Sequence, residues 1–218
     1  MKAIVCGGSR GIGAAIAESL GSIGCDVTAT SKKDMDTSDL GSIDRFAQNH
    51  YNTDILVLNT GGPPPKTFYE ATDDDWQKYH KQLFLGFCKI LKKISINNDG
   101  YIFLISSGVI KEPTNPKLII SSAYRAAFAE VFKILSKDFA ERNISCINIA
   151  PGPTDTDRMK QLVGDERKLE QIKESLPMKR FGTPKEIGNF VKGIVENKIK
   201  YLSGVTINFD GAASNYVF

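Results

Sequence analysis

Short runs of apolar and β-branched residues alternate with longer helical patterns along most of this chain. The runs at 55–58 and 102–105 are apolar on both faces, as expected for strands in a sheet that is covered on both sides. Strands are predicted at 3–6, 26–30, 54–58, 101–106, 144–149 and 205–208, and helices at 11–22, 42–50, 73–96, 118–142 and 184–196. This order predicts an α/β fold in which helices flank a doubly wound parallel sheet.

The length and composition predict a single folded domain over residues 1–218. The chain has 41% hydrophobic and 24% charged residues, which excludes disorder over most of its length. Residues 154–181 break the alternation, carry many charges and follow a predicted strand. Because insertions at the carboxyl ends of strands border the ligand crevice of such sheets, this segment is predicted to be a lid. The alternative is a solvated helical connection.

The charged, cysteine and histidine residues exclude several classes of function. A net charge of +3 gives no chain-wide attraction to nucleic acid or to anionic membranes. The four cysteines form no Cys-x-x-Cys pair, which predicts reduced thiols in a cytoplasmic protein. His50 and His80 have no cysteine nearby, so no metal site is predicted. No apolar run suits a signal peptide or the roughly 20 residues of a membrane span.

A glycine-rich turn follows the first predicted strand and opens the first helix. Residues 6–13 read Cys-Gly-Gly-Ser-Arg-Gly-Ile-Gly. Glycine permits the tight turn and the close approach of a pyrophosphate, whose charge the amides at the helix start would face. This context predicts dinucleotide contacts at Gly7, Ser9, Arg10, Gly11, Ile12 and Gly13. The alternative is a turn that is needed only for packing the helix on the sheet.

The residues after the second strand predict NADP rather than NAD. NAD-binding proteins place a carboxylate about 20 residues beyond the glycine motif, where it accepts the ribose 2′-hydroxyl. This chain has Ser31, Lys32 and Lys33 at that place. Cations and hydroxyls suit a 2′-phosphate, and Arg10 adds a further cation. The alternative is that the lysines are solvated surface charges.

Several motifs, in order along essentially the whole chain, resemble the short-chain dehydrogenase/reductase family. Asn-Thr-Gly-Gly at 59–62 is similar to its Asn-Asn-Ala-Gly motif, and Ile-Ser-Ser at 105–107 to the strand end that carries the catalytic serine. Pro-Gly-Pro-Thr at 151–154 resembles the segment that holds the nicotinamide carboxamide. Asp-Thr at 36–37, after an expected very short third strand, resembles the segment with the adenine-binding aspartate.

This resemblance implies a Rossmann-like domain that binds NAD(P). It implies cofactor contacts at Ser31, Lys32, Asp36, Thr37, Asn59, Gly61, Arg125, Pro151, Gly152 and Thr154, in addition to the glycine-rich turn. Three consecutive prolines at 63–65 stiffen the loop beside the expected nicotinamide pocket, since each ring fixes φ.

The catalytic residues that the family implies are altered here. Ser107 is kept, but Ser121 and Arg125 stand in the places of the family's Tyr and Lys. Leu83 replaces an expected asparagine. A serine hydroxyl is a much poorer acid than a phenol with a pKa near ~10, and arginine is no proton shuttle. Tyr124, three residues after Ser121, is either a displaced phenol or a packing residue. The candidate catalytic residues are Ser107, Ser121, Tyr124 and Arg125.

The resemblance implies an NADP-dependent oxidoreductase for a carbonyl or alcohol substrate, similar to 3-oxoacyl reductase-like members. The alternative is a catalytically silent NAD(P)-binding protein of the same fold. The family also implies a homotetramer or homodimer, formed through the helices at 73–96 and 118–142 and the last strand. The aromatic tail at 216–218 is either buried in that interface or packed on its own subunit. A small-molecule substrate, without nucleic acid or membrane, is expected.

Overall fold

The structure, a computed structural model, describes residues 1–216. Six strands form one parallel sheet in the order β2-β1-β3-β4-β5-β6. They are β1 (Lys2–Val5), β2 (Asp26–Ala29), β3 (Asn52–Leu58), β4 (Ser95–Ile105), β5 (Ser145–Pro151) and β6 (Val205–Phe209). The strand order changes direction between β1 and β3, and in open α/β sheets ligands bind beyond the strand ends at such a switch point.

Helices cover both faces of the sheet. They are α1 (Gly11–Gly21), α2 (Leu40–Asn49), α3 (Asp73–His80), α4 (Gly86–Lys93), α5 (Ile119–Ala140), α6 (Asp157–Val163), α7 (Glu166–Ser175) and α8 (Pro184–Glu196). A π-helical turn, Lys81–Leu85, joins α3 to α4, and a short 3-10 turn, Gly108–Ile110, follows β4. Within residues 1–216, no helix combines the length and the apolar character needed to cross a membrane.

The two faces of the sheet carry two separate apolar cores. Successive side chains of a strand point to opposite faces. Leu56 and Leu58 therefore belong to the core under α2, α4 and α5, whereas Ile55 and Val57 belong to the core under α1 and α8. All four are fully buried. Burial on both sides explains why these strands read as continuous apolar runs, and it confirms the predicted fold class.

Two predictions about the elements are wrong. The structure shows no strand between β2 and α2, because Ser31 starts a turn in which the Asp34 carboxylate accepts hydrogen bonds from its N–H and its hydroxyl. The chain therefore leaves the sheet edge at β2. The helix predicted over 73–96 is interrupted by the π-helical turn and ends at Lys93, and β4 begins at Ser95.

A close contact between helices lies where α8 crosses α1. A Cβ atom on Gly188 would lie 2.5 Å from the Ala15 carbonyl oxygen and 2.5 Å from Ser19 Oγ. Gly193, farther along the same helix, has no atom within 4 Å of such a Cβ. The sequence of α8 therefore contains one glycine that packing requires and one that it does not.

Gly188→Ala and Gly193→Ala should change stability in opposite directions. We expect Gly188→Ala to lower the free energy of unfolding by about 1–3 kcal/mol, since the added methyl group must displace a helix. Gly193→Ala should raise it by about 0.5–1 kcal/mol, because alanine loses less backbone entropy in a helix. Urea denaturation of both variants measures the difference, and equal effects would contradict the assigned α1–α8 contact.

Candidate active site

A cavity of about 800 Å³ lies beyond the carboxyl ends of the strands, within the roughly 300–1,000 Å³ range of ligand sites. Most residues predicted from sequence line it: Gly7, Ser9, Arg10, Gly11, Ile12, Ser31, Lys32, Asp36, Thr37, Asn59, Gly61, Ser107, Ser121, Arg125, Pro151, Gly152 and Thr154. Gly13 and Tyr124 are not among the lining residues. The strands thus bring together segments that are far apart in the sequence.

The side chain of Asn59, just after β3, holds the glycine-rich turn between β1 and α1. Gly7 and Gly11 adopt left-handed φ angles of +57° and +55°. A Cβ atom on Gly13 would lie 2.2 Å from the Gly7 carbonyl oxygen, so Gly13 packs behind the turn and does not line the cavity. The Asn59 side-chain amide donates to the carbonyl oxygens of Gly7 and Cys6, at 3.1 and 3.3 Å.

The amino-terminal end of α1 has the features of an anion site. Its N-cap residue, Arg10, makes no side-chain hydrogen bond to the helix, and the first N–H groups of any helix lack intrahelical acceptors. The helix dipole adds positive charge at the same place. A glycine cradle that opens toward this helix end fits the pyrophosphate of a dinucleotide.

The turn after β2 bounds one end of the cavity with cations. Lys32 and Lys33 line the cavity, whereas Asp34 does not. The hydrogen bonds from Ser31 lower the pKa of Asp34, so this carboxylate is committed to the turn. Asp36 does line the cavity, but its carboxylate lies 3.3 Å from Lys32 Nζ and also accepts from Ser38. No unpaired carboxylate of the described residues faces this end.

Thr154 and Thr156, in the segment after β5, make different contacts. Thr154 donates its hydroxyl to the Gly152 carbonyl oxygen at 3.0 Å and forms a β-bridge with Gly182. Thr156 caps α6 and reaches to 3.6 Å from a Cβ atom built on Gly11. Thr156, which the sequence analysis missed, therefore closes the cavity over the glycine-rich turn. In the sequence, the position of Thr156 just before Asp157, as the N-cap residue of α6, was the feature that could have identified it.

Arg125 ties the ends of β3 and β4 to α5. Its Nη1 donates to the carbonyl oxygens of Ile105 and Ser106 at 3.1 and 3.3 Å, and its Nη2 donates to Thr60 at 3.2 Å. Its Nε donates to Ser121 Oγ at 3.2 Å. Burial, with a smaller contribution from Arg158, lowers the Arg125 pKa to about 10. The guanidinium therefore stays charged at neutral pH, but most of its donors are already used.

Ser107 and Ser121 both line the cavity. Ser107 lies at the start of the 3-10 turn, where its Oγ accepts a long 3.5 Å hydrogen bond from the Val109 N–H. Ser121 is buried, and its Oγ accepts from Arg125. Ser107 is therefore the hydroxyl that is less constrained by its neighbours.

The structure places the predicted catalytic residue Tyr124 away from the cavity. Its ring packs against Trp76 and His80, with centroid distances of 5.7 and 5.3 Å, and burial raises its pKa. Ser121 and Arg125 are four residues apart and share a helix face. Tyr124 lies one residue before Arg125, about 100° around the helix axis, so it belongs to the aromatic contact with α3.

Tyr79 and Gln82, which the sequence analysis missed, line the cavity instead. Tyr79 is 8% exposed and supplies the one phenol among the described residues that line the cavity. Gln82 lies in the π-helical turn, and its amide donates to the Gly61 carbonyl oxygen at 2.7 Å. Leu83, which replaces the family's asparagine, is fully buried in the core. Lys78 and Gln82 are four residues apart in the sequence, and both line the cavity. This spacing was the feature that could have indicated a polar helix face toward the site.

The sequence of this chain is similar to those of known reductases. A family model described as Enoyl-(Acyl carrier protein) reductase matches residues 35–213. A 3-oxoacyl-(acyl-carrier-protein) reductase of Aquifex aeolicus is 31% identical over 238 residues, which cover 95% of this chain and 95% of the relative. The chain belongs to the short-chain dehydrogenase/reductase family. The corresponding reductase of Mycobacterium tuberculosis, MabA, is 26% identical and is matched over 90% of its length and 95% of this chain.

Solved structures agree with the fold of this family. A short-chain dehydrogenase/reductase of Serratia marcescens superposes with a TM-score of 0.83 at 24% identity, covering 98% of both chains. A blue fluorescent protein from a metagenomic library, solved in complex with NADPH, has a TM-score of 0.89 at 22% identity over 98% of both chains. At this level of identity, the structures show a shared fold.

Replacing Arg125 should destabilise the protein because it links three chain segments. Arg125→Met leaves the carbonyl oxygens at the ends of β3 and β4 without their donors, which we expect to cost about 2 kcal/mol of unfolding free energy. Arg125→Lys keeps the charge and should lose less. Arg167→Met, at an exposed position of α7, is the matched control. Denaturant titration that found Arg125→Met as stable as Arg167→Met would contradict this role.

Proposed function

We propose that this protein is an NADP-dependent oxidoreductase that interconverts a carbonyl compound and an alcohol. The observation that carries the proposal is the glycine-rich turn at the start of α1, which opens into a cavity that also contains Ser107. Two similar structures were solved with NADPH or NADP bound, and similar sequences include 3-oxoacyl-(acyl-carrier-protein) reductases. These similarities support a reductase of a small carbonyl substrate.

The residues that fit the cofactor divide into three groups. The turn at Gly7 and Gly11 would hold the pyrophosphate. Arg10 and Lys32 would hold the 2′-phosphate next to the turn that begins at Ser31, while Pro151, Gly152 and Thr156 would border the nicotinamide. When bound, the nicotinamide supplies or accepts the hydride. The chain itself must then bind the substrate oxygen and move one proton.

Ser107 and Tyr79 are the groups best suited to the substrate oxygen. In reduction, the carbonyl carbon gains a hydride and the carbonyl oxygen gains a proton. Ser107 Oγ has one weak hydrogen bond and would donate to that oxygen. Tyr79 would supply the proton, since a phenol is a far stronger acid than serine. Arg158 also lines the cavity; burial lowers its pKa, and Tyr79 lies near enough to raise that pKa in part.

Tyr79→Phe and Tyr124→Phe separate the two candidate phenols. We expect Tyr79→Phe to lower kcat by about 10²–10⁴-fold, the usual range for removing a general acid. Tyr124→Phe should have little effect on kcat, because its ring packs between α3 and α5 outside the cavity. Steady-state kinetics at saturating NADPH measures both effects. A large loss in Tyr124→Phe with full activity in Tyr79→Phe would reverse the assignment.

The arrangement of Arg125 and Ser121 supports a second candidate function. Four hydrogen bonds commit the Arg125 guanidinium to Ser121 and to backbone carbonyl oxygens, so neither residue moves a proton readily. A protein of this kind would bind NADP without turning over a substrate. A cofactor-consumption screen over ketones, aldehydes, sugars and alcohols, with calorimetry of NADP⁺ binding, separates the two. Binding without any turnover would favour the silent protein.

The cations near the turn after β2 should determine the preference between NADP and NAD. We expect the double variant Arg10→Ala/Lys32→Ala to weaken NADP⁺ binding by roughly tenfold to a hundredfold, the value of charge-assisted contacts to a phosphate. NAD⁺ lacks that phosphate, so its affinity should change much less. Lys168→Ala, at an exposed position outside the cavity, is the control. Equal losses for the two cofactors in calorimetry would contradict the proposal.

We propose that residues 154–181 act as a lid on a single domain. They contain α6 and α7, and hydrogen bonds of Asp155 and Pro153 with Gly182 join the two ends of the segment. A segment with a narrow base of this kind can move as a unit.

The four free thiols of the described residues fit a cytoplasmic protein.

We further propose a homodimer or homotetramer that forms through α5 and its neighbours. Ile134 is 66% exposed on α5, and such an assembly would cover this side chain. Tyr216 contacts its own chain, where its hydroxyl donates to Asn208 at 2.9 Å. Residues 217 and 218 of the predicted tail lie outside the described residues.

A further inference from the structure

Arg158 projects from α6 of the lid segment across the cavity to the proline-containing loop after β3. Its Nη2 donates to the Pro63 carbonyl oxygen. A Cβ atom on Gly62 would lie 3.3 Å from Nη2 and 3.7 Å from Nε, so the absence of a side chain there makes room for this arginine. Arg158 and Tyr79 both line the cavity. The arginine is therefore positioned by the loop rather than extended into solvent.

The loop occupies only part of the Arg158 guanidinium. The bond to Pro63 is the one hydrogen bond that Arg158 makes with the residues the structure describes. Of the guanidinium nitrogens, Nη2 and Nε lie nearest a Cβ atom built on Gly62, so Nη1 is the nitrogen farther from this glycine. Arginine carries five N–H donors in a planar fork that matches a carboxylate. Several of these donors are thus available for a ligand.

The arginines around this part of the cavity have no acidic partner. Within residues 1–216, no carboxylate oxygen lies within 4 Å of the guanidinium groups of Arg10, Arg125 or Arg158. The carboxylates that line the cavity are Asp36, which pairs with Lys32, and the exposed Asp157. A partly buried cation without a counter-charge is costly unless an anion joins it.

The proposed cofactor contacts leave Arg158 without an assigned anion. In the proposed function, the glycine-rich turn and the start of α1 take the pyrophosphate, and Arg10 and Lys32 take the 2′-phosphate. Burial lowers the Arg158 pKa, the nearby Tyr79 raises it and Arg10 lowers it. Arg158 and Tyr79, the phenol assigned to the substrate oxygen, both line the cavity, and in the proposed function we expect a substrate group there.

We infer that Arg158 binds a carboxylate of the substrate through its Nη1 end, while Pro63 and Gly62 hold the guanidinium in place. The inference rests on the proposed function and narrows it to oxo acids and the corresponding hydroxy acids. The substrate carbonyl would lie between Ser107 and Tyr79, and the carboxylate would extend toward α6. The field of Arg125 adds attraction for the same negative charge.

Matched pairs of acids and esters test this inference. Pyruvate, acetoacetate and levulinate, which differ in the spacing of carbonyl and carboxylate, are each compared with their methyl esters. The wild type, Arg158→Met, Arg158→Lys and the lid control Arg167→Met are titrated with NADP⁺ by calorimetry. The NADP⁺-loaded proteins are then titrated with each acid and ester, and kcat/KM is measured with NADPH.

We expect at least one acid to be preferred over its ester by tenfold or more in the wild type and in Arg167→Met. Arg158→Met should reduce that preference by roughly tenfold to a hundredfold, the value of a hydrogen bond to a charged group. Arg158→Lys should restore part of it, because lysine keeps the charge but not the planar fork. NADP⁺ affinity should stay within about threefold of the wild type in all variants.

Three results would overturn the inference. Equal binding of every acid and its ester by the wild type would exclude a carboxylate site while leaving the proposed function intact. A tenfold loss of NADP⁺ affinity in Arg158→Met, with the acid preference unchanged, would assign the arginine to the cofactor. The absence of NADP⁺ binding by the folded wild type would overturn the proposed function and this inference together.

Discussion

The site depends on the contact between the glycine-rich turn and the end of β3. Gly13 packs against the Gly7 carbonyl oxygen so closely that no side chain fits, and the Asn59 amide holds the same turn from the neighbouring strand. This contact fixes where α1 begins and where its positive end points. The turns after β4 and β5 then complete a cavity whose shape the sheet determines. A change at Asn59 would therefore affect residues that it does not touch.

The fold could be predicted from the sequence because its strands are buried on both sides. Residues 55–58 and 102–105 are apolar without interruption, and the chain has helices between them, so few other topologies remain. The helix α8 was predicted with the correct ends, since Thr183, Pro184 and Glu186 form a capping box with proline at the first turn. The prediction of a short third strand before Asp36 was wrong. It came from the resemblance to the family, whereas the turn at Ser31 results from local hydrogen bonds.

The residues on the cofactor side of the site could also be predicted from the sequence, because they follow strand ends at fixed positions. The substrate side was not. Tyr79 lies near the end of α3, and Gln82 lies in the π-helical turn that follows it. This turn changes the face that α4 presents relative to α3, which a period of 3.6 residues does not predict. Arg158 comes from a segment whose path depends on hydrogen bonds between residues 153–155 and Gly182. Tyr124 was misplaced because one residue along a helix changes the direction of the side chain.

The early departure of the chain from the sheet at β2 has a consequence for how a dinucleotide would be held. With β2 at the edge and a tight turn in place of another strand, the turn that begins at Ser31 borders the cavity with the charged side chains of Lys32 and Lys33. Lys32 has 76% of its side chain exposed, and ions screen exposed charges over about 8 Å at physiological ionic strength. The contribution of this end to the affinity for a dinucleotide should therefore depend on salt concentration. The contribution of the glycine-rich turn should depend on the shape of the backbone.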